Sequence, residues 1–143
     1  MKETMKPTQL DDLIRGEIAA VKSYDTALEK VSDVQGKSEL LSIRQDHVKA
    51  VETLKKYADF EVKAEAKDGG IWAEFTKAFT GGASIFGNTA ALKALKIGEE
   101  HGIQEYKEAL KDDTIQAELK QIIQTELLPN QQKHIATIDQ LTH

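Results

Sequence analysis

Residues 10–28 read LDDLIRGEIAAVKSYDTAL, and residues 92–110 read LKALKIGEEHGIQEYKEAL. Laid over each other they agree at seven of nineteen positions: Leu10/Leu92, Leu13/Leu95, Gly16/Gly98, Glu17/Glu99, Tyr24/Tyr106, Ala27/Ala109 and Leu28/Leu110. Within each copy the apolar residues recur every three or four positions, the spacing of one helix face. A second pair of segments extends the repeat more weakly, through His47/His134, Val48/Ile135, Val51/Ile138, Glu52/Asp139 and Leu54/Leu141. The second half of the chain therefore reads as a copy of the first. Repeats often carry structure alone, but this one carries a carboxylate and an imidazole on apolar stripes, which duplication of a plain core would not retain.

Working outward, Thr8 and Asp11 form a capping pair behind Pro7 and open a first helix over about 8–31. A break at 32–37 contains Gly36. The second helix, about 38–65, carries Leu40, Ile43, His47, Val51 and Leu54 on one face and fades in the charged run EVKAEAKDGG. Gly69-Gly70 and Gly81-Gly82 bracket IWAEFTKAFT, a short amphipathic helix over about 71–80 whose Trp72, Phe75 and Phe79 are expected to cover the bundle end or a dimer seam. Asn88 caps a third helix over about 88–111. Asp113 with Gln116 caps a fourth over about 114–141, bearing Leu119, Ile123, Leu127, His134, Ile138 and Leu141. Pro129 predicts a kink or a split in that last helix. Two helical hairpins joined by one long crossover make a single all-α domain, a four-helix bundle of the crossover type.

Composition narrows the function. The chain has 143 residues and 40% hydrophobic residues, enough for one buried core. A net charge of −5 disfavours nucleic acid, whose recognition needs a basic face. Without cysteine there is no disulfide, thiolate metal site or cysteine nucleophile. No apolar run resembles a signal peptide or spans a bilayer, so a soluble cytoplasmic protein is expected. IWAEFTKAFT is too short, with only one lysine, for an interfacial membrane helix. No phosphate-cradling glycine loop and no Ser-His-Asp arrangement is evident.

The polar residues on the stripes carry the chemistry. Glu17 lies one turn from Leu13, Ile14 and Val21; Glu99 lies between Leu95 and Ile103; His47 is flanked by Ile43 and Val51, and His134 by Gln131 and Ile138. An unpaired buried carboxylate costs several kcal/mol, so two facing each other need a proton, a metal or a basic side chain. Tyr24 and Tyr106 fall two turns beyond the two glutamates and read as core tyrosines bonded to an inward carboxylate or histidine, with a redox role as the alternative. His101 and His143 read as surface groups. Gly16 and Gly98 each cost about 1 kcal/mol mid-helix relative to Ala, which suggests close helix contact there.

These residues resemble the ferritin-like superfamily, which places one Glu on each of helices one and three and Glu-x-x-His on helices two and four to bind two metals. Glu17 and Glu99 match the lone carboxylates, and His47 and His134 the imidazoles. The two bridging glutamates are replaced by Arg44 and Gln131. The tyrosine-bearing first repeat, the glycine-bracketed crossover and EEHGIQEYKEAL are most similar to a small bacterial ferritin-like family known only as a domain of unknown function. That resemblance implies a fold and no established activity. Arg cannot ligate a metal, so the sequence reading places its guanidinium between Glu17 and Glu99, in a polar core with Gln131, Tyr24 and Tyr106.

Three functions follow. The first is a non-catalytic structural, interaction or stress-related bundle with a degraded di-metal site, an Arg-Glu-His core and no cofactor. The second is an oxidase, peroxidase or storage protein holding one iron, manganese or zinc ion through Glu17, His47, Glu99 and His134. The third is a protein that binds a partner or ligand through the Trp72–Phe86 segment. Self-association into a dimer is open, and no small-molecule substrate is indicated.

Overall fold

The computed structural model describes residues 9–30, 34–58 and 87–142. The crossover residues Trp72, Phe75 and Phe79, the expected 71–80 helix and the Thr8 cap lie outside them. Helix α1 (Gln9–Lys30) places Asp11 and Asp12 in its first turn, where acidic groups complement the helix dipole. Helix α2 (Val34–Lys55) starts four residues before the predicted Ser38 and takes in Gly36, which is buried. A helical glycine costs about 1 kcal/mol, a cost that packing offsets here, so Gly36 does not break the chain where its conformational freedom alone suggests. After Lys55 the rod closes in three-residue turns, Tyr57 N–H donating to the Leu54 carbonyl at 3.0 Å and Ala58 N–H to Lys55 at 3.2 Å. The predicted continuation beyond Ala58 lies outside the described residues. Helix α3 (Gly87–Leu110) opens one residue ahead of the expected Asn88 cap.

The fourth rod is built from α4 (Ala117–Ile122), a π-helical turn (Ile123–Leu127) and α5 (Leu128–Leu141). The predicted capping pair Asp113–Gln116 does not form; Gln116 makes no side-chain cap. Asp112 does the work one residue earlier, its Oδ1 accepting from Thr114 N–H at 2.8 Å and Thr114 O–H at 2.6 Å. Ile115 is buried just beyond that turn, which fixes where the rod can start.

The expected split at Pro129 takes the form of a π turn that interrupts the α-helical rod just before the proline. Proline removes one donor and crowds the carbonyl four residues back, and the π turn immediately before it relieves both by moving to the wider i→i+5 register. Leu128 N–H accordingly donates to the Ile123 carbonyl. The buried positions Leu119, Ile123, Leu127, Gln131, His134 and Ile138 step by 4, 4, 4, 3 and 4. An α-helix with 3.6 residues per turn keeps one face by alternating threes and fours, so the run of three fours contains one surplus residue, which the π turn absorbs.

The four rods close into a ring in which α1 packs on α2 and α3, while α5 packs on α3 and α2. The core divides into two apolar blocks. One joins Ala20, Tyr24 and Ala27 of α1 to Leu40 and Ile43 of α2, Ala91, Leu92 and Leu95 of α3, and Ile138 of α5. The other joins Leu13 and Ile14 to Ala50, Leu54, Tyr106, Ala109 and the Ile115–Leu127 stretch. The internal repeat maps one block onto the other, since Leu13/Leu95, Tyr24/Tyr106 and Ala27/Ala109 exchange between them. Neighbouring rods run antiparallel, and α2 ends in the second block whereas α3 begins in the first. Between the blocks lies a polar layer of Glu17, His47, Glu99, Gln131 and His134, all buried. No helix among the described residues is long and apolar enough to cross a membrane.

If Pro129 is the reason for the π turn, deleting the exposed Gln124 alone forces the ring against a carbonyl and costs about 3 kcal/mol. Adding Pro129→Ala to the deletion restores most of it, because the buried face then runs in unbroken threes and fours. Urea midpoints of the single and double changes check this; an equal loss with and without proline shows that Pro129 is not the cause.

Candidate functional site

Each rod contributes one or two groups to the polar layer, from positions one helical turn apart from core apolar residues. His47 of α2 sits between two carboxylates. Its Nδ1 meets Glu17 Oε1, and its Nε2 lies 2.7 Å from Glu99 Oε2. A neutral imidazole has one donor and one acceptor nitrogen, and a bare lone pair facing a carboxylate oxygen is repulsive. The arrangement therefore suits the imidazolium, which donates on both sides. Burial opposes that charge, but Glu99 and Glu17 outweigh burial and hold the His47 pKa well above the usual imidazole range. Glu99 shows the complementary effect. Burial pushes its carboxyl up, yet the charge of His47 and the hydrogen bonds from His134 and His47 hold it well below the usual carboxylate range.

The two tyrosines cross-brace the layer. Tyr24 O–H on α1 donates to Glu99 Oε2 on α3 at 2.6 Å, and Tyr106 O–H on α3 donates to Glu17 Oε2 on α1 at 2.5 Å. Burial, then the neighbouring glutamate charge, raises both phenol pKa values well above normal, so both stay protonated donors. Gln131 Nε2 donates to Glu99 Oε1 at 2.9 Å and to the Glu99 carbonyl at 3.2 Å. Its side chain occupies the space left by Gly102, where a Cβ would lie 2.4 Å from Gln131 Nε2. Gly16 faces only the end of Glu105, at 3.3 Å.

His134 of α5 spans the layer toward the surface. Its Nε2 lies 2.8 Å from Asp46 Oδ2 and its Nδ1 lies 3.2 Å from Glu99 Oε1. The Asp46 contact anchors Nε2 and turns Nδ1 inward toward Glu99. Glu17 performs the same service for His47 from the opposite nitrogen. Both imidazoles thus have an outer carboxylate and an inner nitrogen directed at Glu99, the outer-partner pattern common around metal-ligating histidines. His47, Glu99 and His134 offer ligand atoms that all lie within 4.8 Å of one another.

The sequence reading of Arg44 is corrected. Arg44 Nε donates to Asp25 Oδ1 at 2.5 Å on the partly exposed α1–α2 flank and reaches neither Glu17 nor Glu99. His47 already supplies the cation between those acids, and a guanidinium that keeps solvent contact avoids a burial cost of several kcal/mol. A dinuclear carboxylate centre does not fit, since the two bridging positions hold this outward arginine and an amide engaged with Glu99. Two participants escaped the sequence reading, Asp46 and Gly102. Their signals were the acidic residue next to His47 and the second glycine in GEEHG.

The charges set a pH window. Stability from Glu99, whose folded pKa is depressed, is present above the ordinary carboxyl value of 4.5 and is lost as pH falls through the lower folded value. Stability from His47, whose folded pKa is raised, is complete below the ordinary value of 6.5 and is lost as pH rises through the folded one. Urea unfolding with chelator present should give a plateau between those values. His47→Ala should cost about 3–5 kcal/mol there by leaving two acids uncompensated, and a loss under 1 kcal/mol would contradict the charged-imidazole assignment.

No characterised protein and no solved structure matches the chain. One family does match, over residues 6–112, about three quarters of the chain and including Glu17, His47 and Glu99 but ending before His134. The chain belongs to the family described as Domain of unknown function (DUF2383).

Proposed function

We propose that this protein is a ferritin-like bundle that binds a single divalent first-row metal ion through His47, Glu99 and His134. The observation that carries this reading is the opposed pair of outer carboxylates. Asp46 holds His134 Nε2 and Glu17 holds His47 Nδ1, leaving the other nitrogen of each ring beside one Glu99 carboxylate. Two imidazoles and a carboxylate suit zinc, iron or manganese. Bound there, the ion supplies the positive charge that the buried acids require. The residues around it orient the ligands: Tyr24 and Gln131 donate to Glu99, and Tyr106 donates to Glu17.

The space beside the layer bears on the kind of function. A cavity of about 10 Å³, touching Glu17, His47, Tyr106 and Gln131, is the size of one water. Such a cavity admits an ion or a water, and a wider cavity of about 330 Å³ lies beside Asp46, Leu127 and Asn130. The second reading is a metal-free core in which the His47 proton is the permanent counter-charge, favoured by the imidazolium geometry.

Metal analysis after expression in iron-, manganese- and zinc-supplemented medium, with calorimetric titration of the apoprotein, separates the two. One ion per chain is expected, with an added stability of about 2.7 kcal/mol at a hundredfold excess over Kd. His47→Ala, Glu99→Ala and His134→Ala should each abolish it. Arg44→Ala should retain full occupancy and change stability by less than about 1 kcal/mol, as for a surface pair. A parent protein that takes up no metal leaves the proton-neutralised core standing instead.

A further inference from the structure

The internal repeat predicts two equivalent approaches to the polar layer, one on each side of the pseudo-twofold, and among the described residues a small cavity lies at one of them. On one side the α1–α3 seam carries Gly16, Gly102 and Glu105, all part-buried, around the small cavity that reaches Glu17 and His47. Their repeat partners on the other side are Gly98, Ala20 and Ser23, and all three are buried, with Ala20 at 0% and Ser23 at 3% exposure. The glutamate stands where the partner has a serine, and a glycine stands where the partner has an alanine. Glu105 thus brings a carboxylate to this side where its repeat partner offers only a hydroxyl, and Gly16 leaves the room in which that carboxylate lies.

The seam beside the cavity has its own chemistry. Glu105 rests against the Gly16 backbone, with its Oε1 at 3.3 Å from where a Cβ would be, so glycine is what lets that carboxylate lie in the seam. His101, one turn earlier, lies 3.4 Å from Glu105 Oε2 on the exposed side. Inward of Glu105 the cavity meets Glu17, whose Oε1 is on His47. Two carboxylates thus border one water-sized cavity that also touches His47, a candidate ligand. A hydrated cation crossing a low-dielectric wall needs oxygen ligands at intervals to replace its water.

We infer that the Gly16–Gly102 seam is the passage by which a divalent cation reaches the buried layer, with Glu105 as the outer relay carboxylate and Glu17 as the inner one. This inference rests on the metal-binding reading. Glu105 is a positioning residue for the incoming ion and is no part of the ligand set, so its removal changes rates more than equilibrium. Burial raises the Glu105 carboxyl pKa, with Asp12 adding to the rise and His101 opposing it, which fits a carboxylate standing partly inside the wall.

Stopped-flow binding of Co²⁺, followed by its visible ligand-field absorption, tests the passage in the full chain. Gly16→Val plugs the seam and Glu105→Gln removes the outer charge with its shape kept. Both should slow association and dissociation by tenfold or more while Kd moves less than threefold. Unchanged association rates in both variants, with helicity and unfolding midpoint near the parent's, overturn the inference and leave the metal reading intact. If the parent binds no Co²⁺, the metal reading itself fails. Solvent exchange of the His47 ring N–H protons, observed by NMR in the metal-free protein, then decides the passage alone. Gly16→Val should slow that exchange at least tenfold, and an unchanged rate overturns the passage.

Discussion

Two buried acids that require a matching positive charge govern this structure. Glu17 and Glu99 come from different halves of the chain and meet on either side of His47. Unpaired, each would carry a penalty of several kcal/mol, comparable with the whole net stability of a small domain. Every neighbouring choice follows from that need. The tyrosine hydroxyls, the Gln131 amide and the second imidazole all point their donors at the same two carboxylates. The layer gathers the buried charged groups between two blocks that pack on small and aliphatic side chains and the two tyrosine rings.

The cross-bracing also sets register. Tyr24 and Tyr106 each sit in one apolar block and reach the acid of the opposite helix, which ties α1 to α3 at two points on either side of the layer. Sliding one helix past the other by a turn would break both bonds and leave buried hydroxyls and carboxylates unmatched, a much larger loss than an apolar seam would suffer. Gly102 belongs to the same constraint, because Gln131 reaches Glu99 only through the volume of its missing side chain. Gly98, the glycine that the repeat singles out, is buried in the seam, but it is Gly102, which the repeat pairs with Ala20, that meets the layer.

Much of this was legible in the sequence, for a physical reason. Glu17, His47, Glu99 and His134 stand on apolar stripes at helical spacing, and a charge on such a stripe must be inside and must be matched. That reasoning located the buried groups; it could not decide which cation matched them. Arg44 was the plausible candidate because it lies one turn from His47 on α2. One turn along a helix still leaves the direction of a long, flexible side chain open, and Asp25 captured it on the α1–α2 flank. Asp46 was hidden for the opposite reason. It adjoins His47 in sequence and so points away from it, toward His134 on the rod next door, a pairing visible only once α2 and α5 are adjacent. The π turn was legible only as an anomaly in spacing, three fours in succession ahead of a proline.

The places where the repeat is broken carry the functional argument. Duplication supplies symmetry, and a symmetric layer would treat its two histidines alike. Here the carboxylates on both nitrogens of His47, Glu17 and Glu99, are buried, while His134 pairs one buried acid, Glu99, with the part-exposed Asp46. Position 46 corresponds to Lys133 in the other half, so the outer carboxylate of His47 is the buried Glu17 instead of a residue at the rim. The consequence is a layer with an inside and an outside: Glu99 at its centre with four donors, Glu17 beside the small cavity, and Asp46 at the opposite rim. A proton on His47 and a divalent ion on Glu99 are two solutions to one electrostatic constraint. The same asymmetry serves either, because it leaves Glu99 the point where both imidazoles converge.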